Sequence, residues 1–192
     1  MHLSCVILIQ DPELLAYVRV LQILIKESAG SSFNMDNWVP HITIGHGINI
    51  SEEQLTDLQE EIGGFLKNQP PLMLPVKGFC VMKKATTKPP YLPHVINISL
   101  EPTMQIRYLS KSICSILEKY PVNWSFSGEN GIDFLRLTLA SRDLTEKGAK
   151  WFAHYSKANS CLIKNILVGS VALVQFKEKS RVFYEQELRA NI

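Results

Sequence analysis

The sequence predicts an α+β fold built twice over: a duplicated two-lobe molecule with antiparallel-rich sheets, helices outside and a central cleft. Three observations predict it. Short β-branched runs alternate with longer stretches of helical apolar spacing. The order strand, helix, strand, helix starts again at His94. A polar-apolar-polar triplet, His41-Ile42-Thr43, stands in the first half where Arg136-Leu137-Thr138 stands in the second, the repeat distance of about 95 residues expected of an internal duplication. Residues 1–192 are therefore expected to form one domain, with pseudo-repeat lobes over about 1–90 and 91–192.

The elements follow in chain order. Leu3 to Gln10 is an apolar strand, and Asp11-Pro12 opens a helix whose stripe is Leu14, Leu15, Val18, Leu21 and Ile25. Gly30 to Asn37 is rich in turn residues, and Trp38 to Gly45 is a short strand. Ser51-Glu52-Glu53-Gln54 carries capping chemistry for a second helix striped by Leu55, Leu58, Ile62 and Leu66. Pro70 to Met82 is extended, and the proline- and lysine-rich Lys83 to Pro93 is an exposed connector at the seam between halves. The second half repeats the plan with strand Val95 to Leu100, helix Pro102 to Lys119, a loop to Gly131, strand Phe134 to Ala140, helix Leu144 to Tyr155 and strand Ile163 to Phe176. Arg181 to Leu188 adds an edge strand.

Composition narrows the function classes. Hydrophobic residues make 46% and charged residues 20%, enough apolar material for a core and too little bias for disorder. A net charge of +2 argues against the strongly basic groove that long duplex nucleic acid needs, while a small phosphorylated ligand or a nucleic-acid end fits. Cys5, Cys80, Cys114 and Cys161 include no C-x-x-C pair and read as reduced structural thiols, with no metal site expected. The apolar run Val6 to Ile9 is too short for a signal or a membrane span, so a cytoplasmic monomer without a membrane partner is expected. Nothing matches the P-loop, the dinucleotide glycine fingerprint or the zincin helix, and no cofactor is expected.

Side chains alternate along a strand, so His41 and Thr43 share one face and Ile42 the other, and Arg136 and Thr138 do likewise. If the two polar faces meet in one cleft, they present an imidazole, a guanidinium and two hydroxyls. That set suits a phosphate: hydroxyls and a guanidinium fork hold its oxygens, and an imidazole moves the proton that phosphoester cleavage requires. The structural alternatives are a hydrogen-bonded strand histidine and an Arg136 paired with Asp133. His46, on the turn expected after Gly45, is assigned to the cleft rim as a substrate contact, together with Trp38 and Tyr184. Tyr91 and Trp124 are further candidates for base stacking, and Lys83, Lys84 and Lys88 for phosphate attraction.

These residues resemble the two-histidine (2H) phosphoesterases, which include the LigT-like RNA cyclic phosphodiesterases, also called 2'-5' RNA ligases. That family carries two His-x-Thr/Ser motifs, one per lobe; His41-Ile42-Thr43, preceded by Pro40, matches the first. The second falls on Arg136-Leu137-Thr138-Leu139-Ala140-Ser141-Arg142, where an arginine stands in place of the histidine. The resemblance implies a metal-independent phosphodiesterase acting on 2',3'-cyclic phosphates or 2'-5'-linked nucleotide and RNA ends, with His41 and Arg136 as the catalytic pair and Thr43 and Thr138 as phosphate contacts. Arginine stays protonated at neutral pH, so Arg136 can neutralise charge but cannot serve as acid or base. Three outcomes stay open: an altered enzyme using Arg136 as electrophile, one that borrows a proton donor from His46, His94 or His154, or a non-catalytic nucleotide or RNA-end binding protein. Thr43-Ile44-Gly45-His46 also matches a short nucleotidyltransferase signature, but a complete strand and helix precede it where that signature should end the first strand.

Overall fold

Helices begin and end where the sequence supplies caps. Asp11 accepts the Leu14 N–H at 2.8 Å ahead of helix α1 (Pro12–Ala29), which stops at Gly30, whose φ of 73° is the left-handed conformation that glycine adopts most easily. Thr103 and Thr145 cap α4 (Met104–Leu117) and α5 (Glu146–Ala158) in the same way. Between α1 and the next strand the turn-rich segment winds into a five-residue helix, α2 (Phe33–Asn37), and the remaining helix is α3 (Glu53–Leu66). The computed structural model describes residues 1–84, 90–127 and 131–189. Lys88 lies outside the described residues.

The strands are β1 (His2–Leu8), β2 (His41–Asn49), β3 (Leu72–Lys83), β4 (Leu92–Leu100), β5 (Val122–Trp124), β6 (Arg136–Arg142), β7 (Asn165–Val168), β8 (Ser170–Phe176) and β9 (Ser180–Glu187). They form one sheet in the order β7-β3-β4-β6-β2-β1-β8-β9, with β5 paired to β2. Neighbouring strands run antiparallel throughout. The order is symmetric about the β6/β2 pair: β4 and β3 flank β6 as β1 and β8 flank β2. Each half of the chain thus sends a strand to the other half's side of the sheet, β3 lying beside β4 and β8 beside β1.

Besides α2, and β5 inside the expected loop to Gly131, further elements differ from the sequence expectation. The strand expected over 163–176 is two strands, split at Gly169: β7 pairs with β3 at one end of the sheet and β8 with β1 toward the other. The connector expected from Lys83 is shorter, because Lys84 N–H donates to Pro93 O and continues the β3–β4 ladder. Strand β2 runs on past Gly45 to Asn49, through a bulge opposite Ser4 and Val6 that ends its regular alternation after Thr43. No helix among the described residues is long and apolar enough to cross a membrane.

The core sits between sheet and helices. Ile42, Ile44, Leu137 and Leu139 of the two central strands are fully buried or nearly so, as are Ile106, Leu109, Ile113 and Leu117 on one stripe of α4. Ser110 of α4 donates to Ile44 O at 2.7 Å, fixing the helix on β2. With one face committed to the core, the central strands turn their other residues outward into the cleft.

Candidate active site

Strands β2 and β6 share one paired position, Ile42 against Leu137. On that antiparallel register His41 lies beside Thr138 and Thr43 beside Arg136, on the face opposite the two buried residues. All four line a cavity of about 550 Å³, together with Trp38, Tyr91, Trp124 and Lys84. The sequence-predicted quartet is therefore brought to one place.

The imidazole of His41 is held on two sides. Its Nδ1 donates to Val39 O at 2.8 Å, which leaves Nε2 as the acceptor of the neutral ring. Phe176, near the tip of the β8–β9 hairpin, stacks on it at 4.3 Å between ring centroids, and Trp38 lies at 6.2 Å. The tip is anchored there by Trp38 Nε1 donating to Lys177 O at 3.3 Å and Val39 N–H donating to Ser180 Oγ at 2.9 Å. Burial pushes the His41 pKa down to about 4, against the opposing bond to Val39 O. At neutral pH His41 is an uncharged base.

Across the cleft the surroundings change. Arg136 Nη1 lies 3.5 Å from Met82 Sδ on β3, and Lys84 reaches the same cavity. Asp133, the expected structural partner of Arg136, is paired instead with Arg107 at 2.7 Å. Thr138 Oγ1 donates to Asn97 Oδ1 at 3.1 Å.

A second arginine that the sequence reading did not single out stands at the same rim. Arg142 ends β6 with φ 69°, a left-handed conformation that side-chain-bearing residues seldom adopt, and strain of this kind concentrates at functional sites. Its guanidinium carbon lies 4.3 Å from the ring centroids of both Trp38 and Tyr91, and 5.1 Å from that of Phe33. Burial lowers its pKa, opposed by the Tyr91 hydroxyl. The clasp is itself fixed: the Asp143 carboxylate accepts from Ser31 Oγ at 2.5 Å, Ser32 N–H at 2.8 Å and Phe33 N–H at 2.9 Å, tying α2 to the end of β6. The second motif contains Arg142; its backbone conformation and aromatic partners come from distant segments.

Two predicted contacts lie elsewhere. His46 accepts the Phe126 N–H on Nδ1 at 2.8 Å and pairs through Nε2 with Glu118 at 3.3 Å. The bulge in β2 redirects it toward α4, so it ties a loop to a helix instead of standing on a turn at the cleft rim. Tyr184 lies over α3 in a separate polar groove, its hydroxyl donating to Gln186 Oε1 at 3.1 Å; a Cβ on Gly63 would come within 2.4 Å of that hydroxyl. His94 and His154 are not among the cleft-lining residues, whereas His2 is. Gly47 is required where it stands, since a Cβ there would meet the Trp124 indole at 1.9 Å.

Known proteins share the fold. Residues 9–91 match the family model of LigT-like phosphoesterases. No curated protein matches the sequence. The fold is similar to that of TT0787 of Thermus thermophilus, at 14% identity and a TM-score of 0.63 over 100% of both chains. It is also similar to E. coli LigT complexed with 3'-AMP (15% identity, TM-score 0.57, 97% of both chains). A third similar structure is Kluyveromyces marxianus Usb1, at 12% identity and a TM-score of 0.54 over 94% of this chain and 96% of that one. The motif at His41 lies within the segment that matches the LigT-like phosphoesterase model, and over nearly its whole length the chain is similar in fold to these structures.

Proposed function

We propose that the protein is a phosphodiesterase that opens 2',3'-cyclic phosphates or cleaves 2'-5' linkages at nucleotide or RNA ends, using one imidazole and a fixed guanidinium. The observation that carries this reading is the convergence of His41, Thr43, Arg136 and Thr138 on one cavity from two strands that pair at Ile42 and Leu137. The E. coli LigT structure with 3'-AMP supports a nucleotide as the ligand class. The reading takes the chain as a single domain whose lobes, about 1–90 and 91–192, exchange strands β3 and β8; the symmetric strand order supports it.

In this mechanism the phosphoryl group sits between His41 and Arg136. His41 Nε2 takes the proton of the attacking water as its oxygen bonds to phosphorus. The bond from phosphorus to the ribose oxygen breaks, and that oxygen takes a proton from solvent. Arg136 and Arg142 neutralise the charge that builds on the phosphorane. A bound phosphate anion favours the imidazolium, so substrate itself moves the low pKa of His41 upward during the reaction. Arg136 stands where the family's second histidine is expected, and supplies charge without a proton. The direct test is hydrolysis of a panel of 2',3'-cyclic nucleotides and 2'-5' dinucleotides in the presence of chelator. Turnover lost in His41→Ala supports the assignment; turnover indifferent to that change rejects it. Binding of the same ligands without any turnover would favour the alternative of a nucleotide or RNA-end binding protein.

A further inference from the structure

Asn97 of β4 is fully buried, and among the described residues its Nδ2 is the one buried side-chain nitrogen or oxygen without a hydrogen-bond partner. An orphaned buried amide costs stability, so its presence calls for a reason. The residue sits directly under the cleft. It pairs in register with Thr138, beside a bulge between Ile96 and Asn97, and its Oδ1 takes the Thr138 hydroxyl proton at 3.1 Å. The matching position in the other half of the sheet is Val6, which pairs with Thr43 as Asn97 pairs with Thr138. The fold thus accepts an apolar β-branched side chain at that place, and packing does not demand an amide.

We infer that Asn97 is a positioning residue that sets the direction of the Thr138 hydroxyl proton when a phosphate enters the cleft. The inference rests on the phosphate-binding reading above and assigns one more residue to it. With the carbonyl toward Thr138, the hydroxyl proton points into the protein and Thr138 offers the cleft only lone pairs, which repel a phosphate oxygen. With the amide turned over, the NH₂ donates to Thr138 Oγ1, the unpartnered place passes to Oδ1, and the hydroxyl proton points at the anion. A phosphate therefore favours the turned-over amide, which directs the Thr138 proton toward it. Thr43 has the Val6 side chain beside it where Thr138 has an amide.

The experiment is a double-mutant cycle on binding of inorganic phosphate and 3'-AMP, with thermal unfolding measured alongside. Asn97→Val copies the Val6 arrangement. It is expected to weaken phosphate binding about fivefold, the scale of one neutral hydrogen bond, while the unfolding midpoint stays level or rises. In a Thr138→Val background the same change is expected to have no effect on binding. Asn97→Val that binds as wild type overturns the inference, as does an equal loss in both backgrounds. Wild-type protein that binds neither ligand removes the phosphate-binding reading itself and this inference with it, which separates the two failures. Should Asn97→Val prove unstable, Asn97→Leu provides the second arm: an apolar side chain of similar size must weaken phosphate binding more in the presence of Thr138 than in its absence, and equal losses count against the inference.

Discussion

The two walls of the cleft share a backbone frame and differ in chemistry. Ile7 pairs with Ile42 and Ile98 with Leu137, so each central strand sits against its outer neighbour in the same register. On that frame His41 has Leu8 beside it and Phe176 stacked on it, while Arg136 has Ser99 beside it and Met82 at its guanidinium. Thr43 adjoins Val6 and Thr138 adjoins Asn97. The wall around the imidazole is apolar and aromatic, which disfavours its charged form. The wall around the guanidinium is more polar, which a permanent cation tolerates. Two walls on one backbone frame can therefore differ in the neighbours of their site residues as well as in the residues themselves.

The sharpest way to break this comparison is to remove the imidazole. His41→Ala should lower turnover of a cyclic phosphodiester by about 10²- to 10⁴-fold, the usual contribution of a general base, with the fold intact by circular dichroism. Next in size, Arg136→Ala should lower kcat/KM by about 10²- to 10³-fold through loss of charge stabilisation. Arg136→His should instead exceed wild type, because it restores a titrating group to the polar wall; no gain in a folded variant would show that the cleft has moved to other chemistry. Arg142→Leu should weaken phosphate binding by about tenfold in a calorimetric titration, leaving the His41 titration in place.

Smaller effects probe the apolar wall. Phe176→Ala lets water reach His41 and should raise its pKa from about 4 toward 6.5, as followed by NMR. Because the folded-state pKa lies below the ordinary 6.5, the unfolded chain binds the proton first, so stability is full above 6.5 and falls as pH drops toward 4. Denaturant unfolding across that window should show the loss, and Phe176→Ala should reduce it.

Much of this was legible in the sequence because it rests on local rules. The alternation through His41-Ile42-Thr43 and Arg136-Leu137-Thr138 places two side chains of each triplet outward, and both pairs line the cleft. Asp11 announces the start of α1, whereas α4 and α5 begin two residues after the expected Pro102 and Leu144, behind the caps Thr103 and Thr145. What was not legible depends on segments meeting at a distance. The bulge that turns His46 toward Glu118 needs the register of β1 against β2. The clasp on Arg142 needs α2, Trp38 and Tyr91 gathered at the end of β6. Gly169, which sends β7 and β8 to different neighbours, reads in sequence as a small residue inside one apolar run. Tyr184 follows the β9 edge strand away from the cleft and over α3.

One imidazole working opposite one guanidinium is the central claim, and the pH dependence of kcat/KM for a 2',3'-cyclic nucleotide tests it most directly. The expected profile is a single ascending limb with its midpoint near the free-enzyme pKa of His41, about 4, and a plateau through neutral pH. A bell-shaped profile that falls again around neutrality would reveal a second imidazole giving up a proton, and would contradict the claim.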